Sequence, residues 1–385
     1  MEAEPGAPRQ KTGAIGKPSS RPSSKQGLSD LDGSDLLELG SEIDSEFALD
    51  DFIAAYAEPL KERVSLHSKK KKVMIISGPT AVGKSRVALM VAKAISGEII
   101  SADSVQVYKG MDIGTAKVSS VERCEVAHHL IDMHELHEPF NIMNFYRETA
   151  KLIAEILARG NVPIIVGGTG FYINSLLYGP PMAPPSTPDV REAIEREMEV
   201  LGPEALYKRL AELDPEYAAS VTGSDKQKIV RALEIMRLSG QKVSLFAQSS
   251  SSAGLCNQYN FRCWFLHMPR EYLNTEIEKR CDKMLADGLV EEVQELKRRG
   301  LEANRSAAQA IGYRQTLLYL ESDRSACARS LLASSFKKAS REYAKRQFTW
   351  FRNKDRDKLF QWINVLGISP AEIADYLISD YELSL

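Results

Sequence analysis

Short apolar runs and longer amphipathic stretches alternate along the chain from Val73 onward. Val73-Met74-Ile75-Ile76-Ser77 is a continuous, partly β-branched apolar run, the pattern of a strand covered on both faces, and Arg86 to Lys93 behind it carries helical periodicity. The segments EIISA (98–102), HHLIDM (128–133) and VPIIVGG (162–168) repeat the strand pattern, with a predicted helix over 145–159 between the last two. This order predicts an α/β fold in which a parallel sheet is flanked by helices. A stiff Pro-rich break over 179–185 is followed by helical stretches at 188–200, 203–213 and 224–239, the last expected to open on a capping box of Ser224 and Gln227. RCWFLHM (262–268) returns to strand character, so 186–261 reads as a helical insertion, and a purely helical C-terminal region is expected after it. Ser249 to Gly254 reads as a flexible loop, and no internal repeat is visible. The expected organisation is an extension over 1–68, a core over 69–185, the insertion over 186–261, and a return to the core with helices over 262–385.

Between the first strand and the first helix stands GPTAVGKS, residues 78–85, a G-x-x-x-x-G-K-S phosphate loop in the strand–loop–helix context the motif requires. Gly78 and Gly83 let the backbone wrap an anion, Pro79, Thr80, Ala81 and Val82 form its wall, Lys84 reaches phosphate oxygens, and Ser85 can hold Mg²⁺. The fold expected is therefore like that of the P-loop NTPases.

Composition changes this picture at the ends of the chain. Residues 30–60 hold ten Asp or Glu and no Lys or Arg, whereas 1–29 are rich in Ser, Pro, Gly and basic residues; both are expected to be disordered. The extension reads either as a solvated tail, leaving the protein cytoplasmic, or as an atypical plastid or mitochondrial address. Lys69 to Lys72 reads as a charged flank of the first strand rather than a nuclear signal. No apolar run approaches the about 20 residues of a membrane span. Five scattered cysteines without a C-x-x-C pair fit a reducing compartment and neither a disulfide framework nor a zinc module. His128, His129, His134 and His137 read as structural.

Phosphoryl-transfer enzymes with this loop place a Mg²⁺-holding acid after an apolar strand, but the strand at 162–168 ends at Thr169. Asp132 is a possible substitute. A bound diphosphate can instead be the leaving group of an alkyl transfer.

GPTAVGKS, ISADSVQVYKGMDIGTAK (100–117), HHLID (128–132), VGGTGFYINSLLYG (166–179), IGYRQ (311–315) and AKRQFTWFR (344–352) occur in an order that resembles the tRNA dimethylallyltransferases, in particular the bacterial or organellar type, over Val73 to about Trp362. The resemblance implies transfer of a dimethylallyl group from dimethylallyl diphosphate to N6 of adenine 37, beside the tRNA anticodon, assisted by Mg²⁺, by a chain expected to act as a monomer.

In that reaction the adenine amine needs a proton acceptor, and Asp103, at the carboxyl end of EIISA beside the phosphate loop, suits the role; alone it would read as a loop-capping Asp. Thr169 corresponds to a site residue of the resembled family, or else caps a helix. Arg191 is a candidate for neutralising the diphosphate, with a solvated helical Arg as the alternative. Asp103, Ser104, Val105 and Gln106, then Gln227, Lys228 and Arg231 on one insertion helix, then Gln309, Gly312, Tyr313 and Arg314 match the family's tRNA-contacting segments. Residues 337–358 carry nine Lys or Arg against three acids, interleaved with Tyr343, Phe348, Trp350 and Phe351, which suits an RNA backbone or a solvated helix face. Two other readings stay open: an adenylate dimethylallyltransferase making cytokinin from free nucleotides, and a small-molecule P-loop kinase.

Overall fold

The computed structural model describes residues 70–249, 254–352 and 358–383. The extension over 1–68 and most of the serine-rich loop therefore lie outside the described residues. The apolar runs pair into one parallel sheet: β1 (Lys72–Ser77), β2 (Gly97–Ser101), β3 (His128–His129), β4 (Val162–Val166), β5 (Asn260–His267) and β6 (Phe360–Asn364), in the order β3-β2-β4-β1-β5-β6. Ile75 of β1 faces Ile165 on one side and Cys263 on the other. Val73 to Ile76 are all fully buried, which is why this strand shows no alternation in sequence. Because every pair is parallel, the loops after β1, β2, β4 and β5 open at one edge of the sheet.

Helices make the crossovers. α1 (Lys84–Ala94) follows the phosphate loop, and α2 (Ser120–Glu125) is closed by a reciprocal Ser119–Glu122 capping box. α3 (Ile142–Ala158) starts ahead of the predicted 145, because Asn141 accepts from the N–H groups of Met143 and Asn144. α4 (Gly170–Tyr178) follows β4. α5 (Pro188–Leu213), α6 (Pro215–Ala219), α7 (Lys226–Ser239) and α8 (Val243–Ser249) form the insertion between α4 and β5. α5 breaks at Gly202 (φ 82°) before Pro203, giving the two expected helices. The insertion has its own apolar cluster, with Ile194, Met198, Leu206 and Leu210 packed against Ile229 and Leu233. The chain then runs through α9 (Arg270–Ala286), α10 (Leu289–Arg298), α11 (Arg305–Ala308), α12 (Tyr313–Glu321), α13 (Ala326–Phe351) and α14 (Pro370–Leu383). Among the described residues no helix is long and apolar enough to cross a membrane.

Three local expectations are corrected. Only His128 and His129 of HHLIDM are strand; Leu130 and Asp132 turn through positive φ (61° and 54°), which no strand tolerates. Ser224 does not cap α7: the Asp225 carboxylate, a stronger acceptor, takes the Lys228 N–H at 3.2 Å, and the Ser224–Gln227 box is replaced. The C-terminal region is not purely helical, since β6 adds a parallel edge strand that sets Trp362 opposite Phe265.

The histidines at the other edge are structural, as expected. His128 Nδ1 bonds to the Val126 carbonyl at 2.8 Å, and His129 pairs with Glu98, which also takes Arg159 and Asn161. Those hydrogen bonds, Arg159 first, hold the buried Glu98 carboxyl down at about 2.

Candidate active site

The phosphate loop is shaped by its glycines. Gly78 has φ 149°, and a Cβ there would lie 2.4 Å from the Leu266 carbonyl oxygen, so β5 bars any side chain. Gly83 (φ 95°) turns the chain into α1, directing the unpaired N–H groups of its first turn at the loop's interior. Lys84 keeps some exposed surface, but its ammonium is drawn into the loop and donates to the Pro79 carbonyl at 2.7 Å. Burial, then the nearby Arg280 cation, pull its pKa down from the lysine range to about 7, while Asp103 pulls it up. Ser85, in the first turn of α1, is exposed and its side chain makes no hydrogen bond among the described residues, so its hydroxyl is open to a cation.

Beside the loop lies a cavity of about 340 Å³. Thr80 and Ala81 reach it from the phosphate loop, and Asp103, Ser104 and Val105 from the end of β2. α9 contributes Ile277, Arg280, Cys281 and Met284; the segment 306–313 contributes Gln309, Ala310, Ile311 and Tyr313; and α13 contributes Phe336, Ser340, Tyr343 and Arg346. Asp103 Oδ1 accepts from the N–H groups of Val105 (2.9 Å) and Gln106 (3.2 Å), which fixes the carboxylate in an Asx turn. Its Oδ2 has no hydrogen-bond donor among the described residues. Arg280 likewise has no ion pair or hydrogen bond among them, although burial works against its charge and Asp103 supports it. A cavity that sets an open carboxylate beside Lys84 and Arg280, over a floor of Ile277, Met284 and Phe336, suits an apolar substrate with an anionic head and an acceptor that loses a proton.

The GGTG segment packs tightly against this site. A Cβ on Gly167 would meet the Ala102 carbonyl at 2.2 Å, one on Gly168 the Gln347 amide at 2.1 Å, and one on Gly170 the Trp350 ring at 2.3 Å. Thr169 makes no side-chain cap to α4. Burial and then Asp103 push the pKa of nearby Tyr343 up to about 12, with Thr169, Arg346 and Gln347 acting against the rise.

Comparison with known proteins agrees with this geometry. Residues 106–354 match the IPP transferase family. A tRNA dimethylallyltransferase of Protochlamydia amoebophila is 51% identical over 319 residues, 83% of this chain and 91% of that protein. The chain belongs to the IPP transferase family. Another tRNA dimethylallyltransferase, from Chlamydia pneumoniae, is 43% identical over 82% of this chain and 91% of its own length. Among solved structures, a tRNA isopentenylpyrophosphate transferase of Staphylococcus epidermidis is similar at 35% identity and TM-score 0.57, over 81% of this chain and 99% of that one. A eukaryotic dimethylallyltransferase acting on tRNA is similar at 26% identity and TM-score 0.66, over 82% and 80%. The family resemblance carried by the motifs and the P-loop NTPase-like fold are thus both borne out.

In this IPP transferase the other sequence-derived site residues fall into two groups. Gln227, Lys228 and Arg314 are exposed, and Gln309 is exposed at the cavity rim. Gln106, Tyr313 and Arg231 are instead engaged within the protein. Gln106 Oε1 accepts from the Ser101 hydroxyl at 3.0 Å and its amide donates to the Thr115 carbonyl at 3.2 Å. Gly312 turns into α12 at φ 91°, its N–H donating to Gln315 Oε1 at 2.8 Å. Arg231 donates to the Pro184 carbonyl and to Glu234 (2.7 Å). Arg191 does not line the cavity: its guanidinium donates to Glu195 (3.0 Å) and lies 3.7 Å from buried Glu234. Asp132 is held by Lys117 (2.5 Å) and Arg123 (2.6 Å) and braces the 105–117 loop. Sequence reasoning missed Arg280, Tyr343 and Gln347. The signal was a polar residue interrupting an apolar stripe: Arg280 falls among Ile277, Cys281 and Met284, and Gln347 between Ala344 and Phe351.

Proposed function

We propose that this enzyme transfers the dimethylallyl group of dimethylallyl diphosphate to N6 of adenine 37 in tRNA, giving N6-isopentenyladenosine and diphosphate. Family membership supports the reaction class. The observation that carries the site assignment is a cavity that opens onto the phosphate loop and is lined by both Asp103 and Arg280. The loop N–H groups and Lys84 bind the diphosphate, and Arg280 meets it from α9. The five-carbon tail lies on Ile277, Met284 and Phe336, away from water.

N6 attacks C1 of the prenyl group. The C1–O bond breaks, its electron pair leaves with the diphosphate, and the N6 proton passes to Asp103 Oδ2. Negative charge grows on the bridging oxygen during this step, so Lys84, Arg280 and the α1 N-terminus contribute more in the transition state than before it. Ser85, whose hydroxyl is exposed at the start of α1, would hold Mg²⁺. That ion, when bound, neutralises charge on the leaving group.

An adenine inside an anticodon loop reaches such a site only unstacked and turned outward. The rim carrying Ser104 and Gln309, and the exposed Arg314, Gln227 and Lys228, are the surfaces we assign to the loop. The test is mass spectrometry of nucleosides from tRNA incubated with the protein and dimethylallyl diphosphate. Appearance of N6-isopentenyladenosine supports the reading. A prenylated free adenine nucleotide with unmodified tRNA would support the cytokinin reaction instead, and phosphate transfer from ATP a kinase.

A further inference from the structure

One face of α13 touches each motif of the site in turn. Phe336 would lie 3.2 Å from a Cβ at Gly312, Ser340 receives a hydrogen bond from the Cys281 thiol at 3.4 Å, Tyr343 lines the cavity, and Trp350 abuts Gly170. These positions, with 347 among them, recur every three or four residues and so form one stripe. Gln347 is, with Ser340, a buried polar member of it. Its Oε1 accepts from the Thr80 N–H at 2.8 Å, inside the phosphate loop, while its Nε2 donates to the Gly168 carbonyl at 3.0 Å. The amide therefore ties the loop after β1 to the loop after β4, and Gly168 is a glycine because any side chain would displace it.

We infer that Gln347 is the positioning residue that holds the phosphate loop in its diphosphate-binding shape, acting from the helix whose outer face carries the cations Lys338 and Lys345. This rests on the reading of the loop as the prenyl diphosphate site. The Thr80 N–H is consumed by Gln347 and unavailable to phosphate, so the loop meets its ligand through later N–H groups and Lys84, whose aim depends on where Thr80 is held. No other side chain of this length presents an acceptor and a donor together without charge: methionine has no donor and only a weakly accepting sulfur, and glutamate keeps only the acceptor until protonated.

The experiment is titration calorimetry of the full chain with dimethylallyl diphosphate and, separately, with an anticodon stem-loop RNA, for wild type, Gln347→Met and Gln347→Glu at about pH 5 and about pH 8. Gln347→Met is expected to weaken diphosphate binding about tenfold, the size of one lost hydrogen bond in a preorganised site. RNA affinity should stay within about twofold, since the cations are untouched. Gln347→Glu should bind diphosphate more weakly than Gln347→Met at the higher pH, where its charge faces the ligand. It should bind more tightly than Gln347→Met at the lower pH, where the protonated carboxyl regains a donor for Gly168. Diphosphate affinity of Gln347→Met within twofold of wild type would overturn the inference. So would parallel pH profiles for the two variants, or equal weakening of both ligands with a lowered Tm, the mark of a merely structural residue. Wild-type protein that binds no dimethylallyl diphosphate would overturn the donor-site reading itself.

Discussion

The Tyr313 hydroxyl donates to Glu292 Oε1 at 2.6 Å, and the same carboxylate accepts the backbone N–H groups of Asp112, Ile113 and Gly114. Two motifs remote in sequence, MDIGTAK and IGYRQ, are thereby joined through one side chain of α10. The ring of Tyr313 also fills the space that a Cβ on Gly114 would need, 2.5 Å away. Burial, then Glu292, push the Tyr313 phenol far above its ordinary range, so it serves as a fixed hydrogen-bond donor and not as an acid.

Tyr313→Phe is expected to lower unfolding free energy by about 1–2 kcal/mol, because it leaves the carboxylate one donor short without changing the packing. Glu292→Ala should cost more, since three loop N–H groups lose their acceptor together. The two changes should couple by roughly 0.5 kcal/mol or more in a double-mutant cycle followed by urea denaturation. Simple additivity would show that the contact is not energetically shared.

Asp103→Asn is expected to lower kcat about 10²- to 10⁴-fold while leaving the fold and dimethylallyl diphosphate affinity in place. The Asx turn survives the change, because an amide oxygen accepts the Val105 and Gln106 N–H groups as Oδ1 does. The proton acceptor is removed, together with one negative charge that supports Lys84 and Arg280. Single-turnover kinetics at saturating substrates check this, and near wild-type turnover would exclude Asp103 as the base.

Lys84 titrates near 7 in the free protein, so above that pH it has lost charge that a bound diphosphate would restore. Binding should then take up a proton, and the Kd should rise by up to about tenfold per pH unit above 7 until the raised pKa of the complex is reached. Calorimetry in buffers of different ionisation enthalpy measures that uptake. Arg280→Gln removes the cation that helps depress Lys84. It should move the onset to higher pH while weakening binding below it; an unmoved onset would refute the coupling.

The sheet and the phosphate loop were legible because their causes are local: a fully buried strand needs an unbroken apolar run, and the anion-wrapping turn needs glycine at fixed positions. Gly167, Gly168 and Gly170 were visible but not explicable, since what bars a side chain there is Ala102, Gln347 and Trp350, the last two nearly 200 residues away in the chain. Arg280 was illegible for the same reason. A cation on a helix reads as solvated until tertiary packing turns that helix face into a cavity wall. Arg191, chosen by likeness to the resembled family's pattern downstream of GGT, lies in a carboxylate cluster in the insertion that includes Glu234 and Glu195. The edge strand β6 was hidden because five residues without clean alternation, after a long basic helix, carry little pattern of their own.

The acceptor distinguishes this activity from prenylation of free nucleotides. The enzyme should modify an anticodon stem-loop with adenine beside the anticodon and leave AMP, ADP and ATP unmodified, because the insertion and the basic helix have no use on a free nucleotide. RNA binding should weaken as salt rises, with a slope set by the phosphates contacted. The structure sorts the basic residues for this test. Lys337 donates to Asp282 (2.8 Å) and Arg341 to Glu278 (2.5 Å), whereas Lys338 and Lys345 make no ion pair among the described residues. Lys338→Ala and Lys345→Ala should therefore flatten the salt slope by about one unit each, and Arg341→Ala by less. Arg231→Ala should act differently. It releases the Pro184 strap and Glu234, so it should impair use of the stem-loop without altering the slope or dimethylallyl diphosphate affinity. Salt-independent RNA binding, or equal turnover on AMP and the stem-loop, would refute the tRNA assignment, because neither is compatible with an acceptor held by its backbone phosphates.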